Sequence, residues 1–482
     1  MKPVHPAIES RLDFIRSGKS GVERPGSAAA NGAVPNIVTR VPARPVEVSD
    51  REAGAGLAGE AAHLGLRNGL SVPEQRPRTA SELGIRQSIV EDLAMKTLYM
   101  GGAMSTRELA QQMRLSVNVA DELVAKMRTQ QLAQVTGMTA NLPNVALTEA
   151  GRRRGLELMA QSQYVGAAPV SLESYVVQVR KQSLRKLVVK KADVERAFGD
   201  LVIDAKVLGQ IGTGLNSGAS IFVHGPAGVG KTAIAETMSR VLAEDNVWIP
   251  HAVEVDGQMI AVYDPMIHKE VEGRDRESCD ERWVWCQRPS VLVGGELTID
   301  MLDLQFNETT KFYSGPVQMK ANNGVLIMDD FGRQRVRPED LLNRWVVPLD
   351  RGIDFLTMAG GRKIEIPFEM LVVFSTNLNP ADLVDAAFLR RMQTKIRVDT
   401  ATDEQFRQIF RRVAVRRGLA VDESALSELI ASIHDLHQEL RACQPRDLVN
   451  QVCWAAQYED RRPVLDRASL MAAVEAYFLK SA

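Results

Sequence analysis

Eight consecutive residues, Gly225-Pro226-Ala227-Gly228-Val229-Gly230-Lys231-Thr232, set three glycines, a lysine and a hydroxyl in the spacing G-x-x-x-x-G-K-T. Glycines let the main chain wrap closely round an anion, so that successive amide N–H groups and the N-terminus of a following helix point their dipoles at it. Lys231 would reach the β- and γ-phosphates of a nucleoside triphosphate, and Thr232 would ligate Mg²⁺. This chemistry needs a strand to deliver the loop and a helix to follow it. The apolar run Ser220-Ile221-Phe222-Val223-His224 and the helical pattern over 233–242 supply both.

A bound metal also needs a carboxylate on a neighbouring strand. The segment Gly324-Val325-Leu326-Ile327-Met328-Asp329-Asp330 reads as a strand buried on both faces, with two acids at the C-terminal edge where open parallel sheets bind ligands. Asp329 is expected to hold Mg²⁺ through its water shell, and Asp330 stands in the place of a water-activating acid. A third strand, Leu371-Val372-Val373-Phe374-Ser375-Thr376-Asn377, ends in Asn377, positioned to orient the attacking water or to touch the γ-phosphate. Two arginine sites follow: Arg390-Arg391 at the end of a helical stretch, and Arg446 in Gln444-Pro445-Arg446-Asp447-Leu448.

In this order, the elements over 190–482 resemble the AAA+ ATPases. The resemblance implies roles residue by residue: Gly225, Pro226, Ala227, Gly228, Val229, Gly230, Lys231 and Thr232 as Walker A, Asp329 and Asp330 as Walker B, Asn377 as sensor 1, and Arg446 as sensor 2. Arg390 and Arg391 match the region whose finger reaches the γ-phosphate held by the next subunit; the sequence leaves open which is the finger and which makes a structural ion pair. Residues 350–358 and 362–366 flank Ala359-Gly360-Gly361 as a hairpin just before the sensor 1 strand, which resembles the pre-sensor-1 insertion of the MoxR-like group.

Two features depart from that pattern. Walker B usually ends in Asp-Glu, and the missing methylene of Asp330 draws its carboxylate back by roughly 1.5 Å. Slower hydrolysis, or a nucleotide-gated switch, is the expected consequence. Between Lys231 and Asp329 lie 97 residues, more than a minimal core needs, so an insertion is expected. Within it Phe312-Tyr313 stand where threading machines carry a pore loop, although core packing accounts for them as well. His251, His268, Cys279 and Cys286 are spaced too irregularly for a metal site and read as two surface histidines and two core thiols.

Upstream, residues 88–160 carry apolar residues at helical spacing, the S-x-x-E capping box Ser105-Thr106-Arg107-Glu108, a third helix capped by Ser116, two short strands around 132–135 and 144–147, and Leu147-Thr148-Glu149-Ala150-Gly151-Arg152-Arg153-Arg154. This order resembles a bacterial winged helix-turn-helix. Asp121 and Glu122 near the start of the third helix oppose contact with DNA phosphates, whereas Arg107, Arg114, Lys126, Arg128 and Arg152 to Arg154 favour it; DNA contact and protein docking through 83–165 both stay open.

The 482 residues, 45% hydrophobic and 25% charged, exceed what one core supports, and their 59 basic and 60 acidic side chains give a formal charge of −1 with no global pull toward nucleic acid or membrane. No run reaches membrane-spanning length. Four scattered cysteines fit reduced thiols, and the expected location is the cytoplasm.

The expected architecture is an α/β P-loop NTPase core with a parallel sheet, a C-terminal α-helical lid and an N-terminal winged-helix (α+β) domain. Its parts are a Pro/Ala/Gly/Arg-rich tail (1–82) with two short helical patches at 8–15 and 57–66, the winged-helix-like domain (83–165), a solvated basic helical linker (166–190), the core (191–400) and the lid (401–482). The expected activity is ATP hydrolysis with Mg²⁺ in a homo-oligomeric ring, a hexamer, that remodels a protein partner. The alternative is an ATP-gated regulator with slow hydrolysis and a DNA-contacting winged helix.

Overall fold

The computed structural model describes residues 76–139, 142–243, 245–272, 279–383 and 386–478. Five parallel strands make the central sheet: β1 (Ser220–His224), β2 (Ser290–Val293), β3 (Val325–Met328), β4 (Leu371–Thr376) and β5 (Thr394–Arg397). Their spatial order is β2-β3-β4-β1-β5. Every residue of β3 and β4 is buried, as the uninterrupted Val/Leu/Ile/Phe runs require of strands covered on both faces. Because β1 continues toward β2 on one side while β4 continues to β5 on the other, a crevice opens beyond the carboxyl ends of β1 and β4. The helix Lys231–Leu242 leaves this edge and buries Ile234, Ala235, Met238 and Leu242 along one stripe against the sheet.

Helices Asp403–Arg416, Glu423–Asp435, Gln444–Tyr458 and Arg467–Tyr477 follow the sheet. Thr402 and Gln405 cap the first with reciprocal side-chain bonds, and Phe406, Phe410 and Ala414, each four residues on, face a shared core with Leu429, Ile433, Leu448 and Val452. The expected helical region is present.

The insertion builds a body of its own. Strands Asn246–Pro250 and Trp283–Gln287 pair antiparallel, and a five-stranded mixed sheet runs in the order Gln305–Asn307, Phe312–Ser314, Gln258–Ala261, Ala252–Val255, Val170–Ser171. The hairpin Ile353–Thr357/Lys363–Pro367 packs Leu356, Ile364 and Ile366 into the same core. Tyr313 is buried and Phe312 meets Tyr164 edge-on with ring centroids 5.5 Å apart, so this pair is packing rather than a free loop. His268 is buried too, accepting from the Asp264 N–H at Nδ1 and bonded through Nε2 to the Lys320 carbonyl, which corrects its reading as a surface residue. Cys279 and Cys286 are buried thiols, and no metal-binding cluster exists among the described residues.

Residues 170–181 differ from a solvated linker. Val170–Ser171 joins the insertion sheet, and the helix Leu172–Lys181 buries Tyr175, Gln178 and Val179 while its basic side chains face water. Tyr175 and Val179, four residues apart, fall on one face of this helix, and one face is enough to anchor it.

At the N-terminal end, helices Gln87–Gly101, Thr106–Met113 and Val117–Thr129 precede strands Ala133–Thr139 and Leu142–Leu147, which form a three-stranded antiparallel sheet with Met104–Ser105, and helix Glu149–Gln161 closes the unit. The capping box is made: Ser105 N–H donates to Glu108 Oε2 at 2.7 Å, and Glu108 N–H to Ser105 Oγ at 3.2 Å. Ala80 and Leu83 are buried in this unit's core, so the unit takes in residues from the stretch read as tail; 8–15 and 57–66 lie outside the described residues. Among the described residues no helix is long and apolar enough to cross a membrane.

Candidate functional site

The loop 225–230 leaves β1 at the crevice. Gly225 has φ +147°, and a Cβ there would lie 2.0 Å from the Val398 carbonyl oxygen; Gly228 has φ +79°, and its Cβ would meet Cys443 Sγ at 2.7 Å. Only glycine fits these two positions, which is why the spacing is so legible in the sequence.

Lys231, almost fully buried, places Nζ 3.0 Å from the Gly225 carbonyl, 2.6 Å from that of Pro226 and 2.5 Å from Asn377 Oδ1. Burial lowers its pKa, opposed by the charges of Asp330 and Asp329. Thr232 Oγ1 donates to Asp329 Oδ2 at 2.8 Å, so a hydroxyl and a carboxylate oxygen sit side by side in the arrangement a hard divalent cation takes. Asp329 is held in turn: its N–H donates to Val293 O at 2.9 Å, and its carbonyl accepts from Gln334 Nε2 at 2.8 Å.

Asp330 meets Asn377 across the edge, with Asn377 Nδ2 donating to Asp330 Oδ1 at 3.0 Å. The turn after β3 is clamped on β4 by Phe331 N–H to Ser375 O at 2.7 Å and Thr376 Oγ1 to Phe331 O at 2.7 Å. This clamp sets Asp330 at φ +49°, a left-handed conformation that Asp and Asn adopt more readily than longer side chains. The backbone therefore supplies a reason for Asp at this position where Glu was expected.

The arginines separate. Arg391 Nε lies 2.9 Å and 3.0 Å from the two Asp350 carboxylate oxygens, an ion pair to the helix Pro338–Arg351, while Arg390 is exposed on the last turn of Ala386–Arg391. Arg446 lines the cleft from the first turn of Gln444–Tyr458, with Nε 3.0 Å from Asp447 Oδ1.

Lys231, Thr232, Asp329, Asp330 and Asn377 line one wall of a cleft of about 620 Å³ between the sheet edge and the helical region, and Arg390 and Arg391 stand outside it. Its far end is apolar, formed by Leu201, Val202 and Ile203 before β1 and by Ile409 and Val413 of the first C-terminal helix. Beside them Arg412 donates to the Gly199 carbonyl at 2.9 Å, and Arg416 pairs with Asp200 at 3.2 Å. Cys443 N–H donates to the Gly228 carbonyl at 3.0 Å, tying the helical region to the loop. Sequence reasoning missed this second wall. Its residues are ordinary helix-face aliphatics and surface arginines, and only their convergence with 199–203 marks them. The cleft can seat a planar ring at the apolar end and an anion chain at the loop, with a cation between Thr232 and Asp329.

A model for a domain of unknown function (DUF8689) matches residues 402–476, the helical region. No curated protein matches the sequence. Among solved structures, NtrX from Brucella abortus in complex with ADP is 14% identical over 69% of this chain and 67% of that one, with a TM-score of 0.37. Domain III of the replication initiation protein DnaA from Thermotoga maritima is 10% identical over 59% and 97%, with a TM-score of 0.34. The RuvB Holliday junction branch migration motor from Thermotoga maritima is 14% identical over 64% and 72%, with a TM-score of 0.31. At these values the likenesses carry no functional argument. The sheet order, the loop between β1 and its helix, and the helical region make an α/β core whose parallel sheet carries a P-loop at its edge.

Proposed function

We propose that the protein is a cytoplasmic AAA+ ATPase of the pre-sensor-1 hairpin, MoxR-like group, which binds Mg-ATP in this cleft and hydrolyses it in a homo-oligomeric ring, a hexamer, to remodel a protein partner. One observation carries the reading: Lys231 and Thr232 at the start of the helix after β1, Asp329 and Asp330 after β3 and Asn377 after β4 converge within hydrogen-bond distance on one sheet edge. Loop amides and Lys231 take the phosphates, replacing the carbonyl and Asn377 contacts that hold the ammonium. Thr232 and Asp329 hold the cation, which when bound neutralises charge developing on the β- and γ-phosphate oxygens. Asp330 and Asn377 orient the attacking water. Arg390, free of the Asp350 pair that holds Arg391, is the arginine that reaches the neighbouring subunit's γ-phosphate, and Arg446 turns inward as the sensor of the lid. The hairpin 353–367 before β4 supports the subgroup.

The N-terminal unit is read as a winged helix that docks protein. Exposed Asp121 and Glu122 stand in the second turn of its third helix, and the 133–147 hairpin presents Val135 and Met138 rather than basic residues, a surface that repels phosphates and offers apolar contact. A second reading, an ATP-gated switch with slow turnover, is favoured by the left-handed Asp330 bonded to Asn377. Steady-state ATPase against protein concentration separates the two. Turnover that rises cooperatively and is lost in Arg390→Ala supports the ring; tight ATP binding with turnover no faster than in Lys231→Ala supports the switch.

A further inference from the structure

At the seam between the N-terminal unit and the insertion lies a second cavity, of about 380 Å³, which shares no lining residue with the cleft at the sheet edge. Strands Asn246–Pro250 and Trp283–Gln287 build one wall of it. Trp248 stands opposite Trp285 in their register and Trp283 lies two residues away, so strand alternation puts three indoles on one face of the pair. The Trp248 and Trp285 rings meet with centroids 4.9 Å apart, and all three indoles line the cavity. Tyr263 extends this aromatic wall, its ring fixed by stacking on His268 at 5.6 Å and by an edge contact with His251 at 5.2 Å. Among the described residues neither the Tyr263 hydroxyl nor a ring nitrogen of His251 has a hydrogen-bond partner, so both are open to a ligand. Burial lowers the His251 pKa to about 4, which keeps the ring uncharged near neutral pH with one lone pair to offer.

The charge on the wall is acidic. Glu270, Glu272, Asp280 and Glu281 line it with a single guanidinium, that of Arg114. Asp280 is held by Arg282 at 2.8 Å and Glu281 by Arg76 at 2.8 Å, so four carboxylates face three guanidiniums when these partners are counted. Glu272 is exposed and makes no ion pair among the described residues. Aromatic rings attract a cation through their quadrupole, Trp most strongly and most of all where water is excluded, and an excess of carboxylate adds to that preference.

We infer that this cavity binds an organic cation, an alkylammonium or guanidinium group, with the three indoles and Tyr263 around it and Glu272 as its carboxylate partner. The inference is independent of nucleotide binding. Either a free small molecule or a side chain of a protein partner carries such a group, and the recognition chemistry is the same for both. Arg114 discriminates between a cation and an anion as the guest. It follows the helix Thr106–Met113, is exposed, makes no ion pair among the described residues, and its charge reaches both His251 and Tyr263. It therefore opposes a cationic guest and would assist an anionic one.

The test is titration of the full chain followed by tryptophan fluorescence, since three of its five tryptophans line the cavity. The probes are choline, the uncharged tert-butyl isostere of choline, N-acetylarginine amide and benzoate, each added to wild type, Glu272→Gln and Arg114→Asn. Both replaced side chains are exposed, and an unchanged melting temperature is the fold control. The expected result is saturable binding of a cation at least about tenfold tighter than of the isostere, a difference of about 1.4 kcal/mol. Glu272→Gln should weaken that binding about two- to fivefold and Arg114→Asn should strengthen it by a similar factor, the reach of one partly exposed charge. Tighter binding of choline marks a free organic cation as the source, and tighter binding of N-acetylarginine amide marks a partner's side chain. If neither cation saturates, if the isostere binds as well as choline, or if benzoate binds and Arg114→Asn removes it, the inference is overturned.

Discussion

The cleft at the sheet edge and the N-terminal α+β unit use polar side chains in opposite ways. In the cleft, Lys231, Thr232, Asp329, Asp330 and Asn377 point at one another from three strand ends, and each is held by at least one bond of 3.0 Å or less. In the N-terminal unit, Arg107, Arg128, Arg152 and Arg153 are exposed on three helices, and two acids lie in the second turn of the third helix. Convergence makes a site whose chemistry can be named. Dispersal leaves a surface whose partner is set by shape and by the few apolar groups it shows.

Breaking the cleft should cost most. Gly225→Ala drives a Cβ to 2.0 Å from the Val398 carbonyl, a backbone clash with no side chain to yield. It should destabilise the core by about 3 kcal/mol or more, read as a lowered urea midpoint together with loss of nucleotide binding. Lys231→Ala should leave the fold intact and weaken ATP binding about 10- to 100-fold by calorimetry, the worth of a charge-assisted contact of about 1.5–3 kcal/mol. Unchanged affinity there would remove the phosphate assignment.

Asp330→Glu sharpens the comparison within the cleft. A longer acid in a left-handed backbone should lower stability by about 1 kcal/mol and should not speed turnover, because conformation rather than reach limits the site. A faster Glu variant would show that the missing methylene alone limits the proposed turnover.

For the N-terminal unit the effects are smaller. Labelled duplex DNA should show no salt-sensitive anisotropy change with wild type, and Asp121→Lys should create a weak one that vanishes as salt rises. At the seam between this unit and the insertion, burial, with a smaller push from Arg114, lowers the His251 pKa to about 4. Its ring stays neutral in the fold while the unfolded chain takes a proton below its ordinary value near 6.5. Stability from this group is therefore complete above pH 6.5 and is lost as pH falls toward 4. The melting temperature should drop less over that interval in His251→Phe than in wild type.

Much of the cleft was legible because its residues are dictated by the backbone. Gly225 and Gly228 admit no other side chain, and the runs 325–328 and 371–376 are apolar or nearly so because both faces are covered. The second wall was not legible. Ile409 and Val413 belong to the same helical pattern as the buried Phe406 and Phe410, and nothing local distinguishes an aliphatic that lines a cleft from one that fills a core. The basic residues over 180–191 hid the buried face of the helix just before them for the converse reason: they drew the whole stretch into a solvated reading, yet two or three apolar residues per two turns, here Tyr175 and Val179, suffice to dock a helix.

By itself the sequence determined the loop, the acidic and polar strand ends, the helical C-terminal region and the helix-rich N-terminal unit, since each rests on short-range geometry: a glycine angle, a strand period, a capping box. Tertiary structure alone decided that Arg391 is paired with Asp350 while Arg390 is exposed, that Asp330 takes a left-handed backbone, that 199–203 meets 409–413 across the cleft, and that Trp454 and Tyr458 are left in water. Those outcomes depend on which distant segments the packed sheet brings together, and separation along the chain carries no record of it.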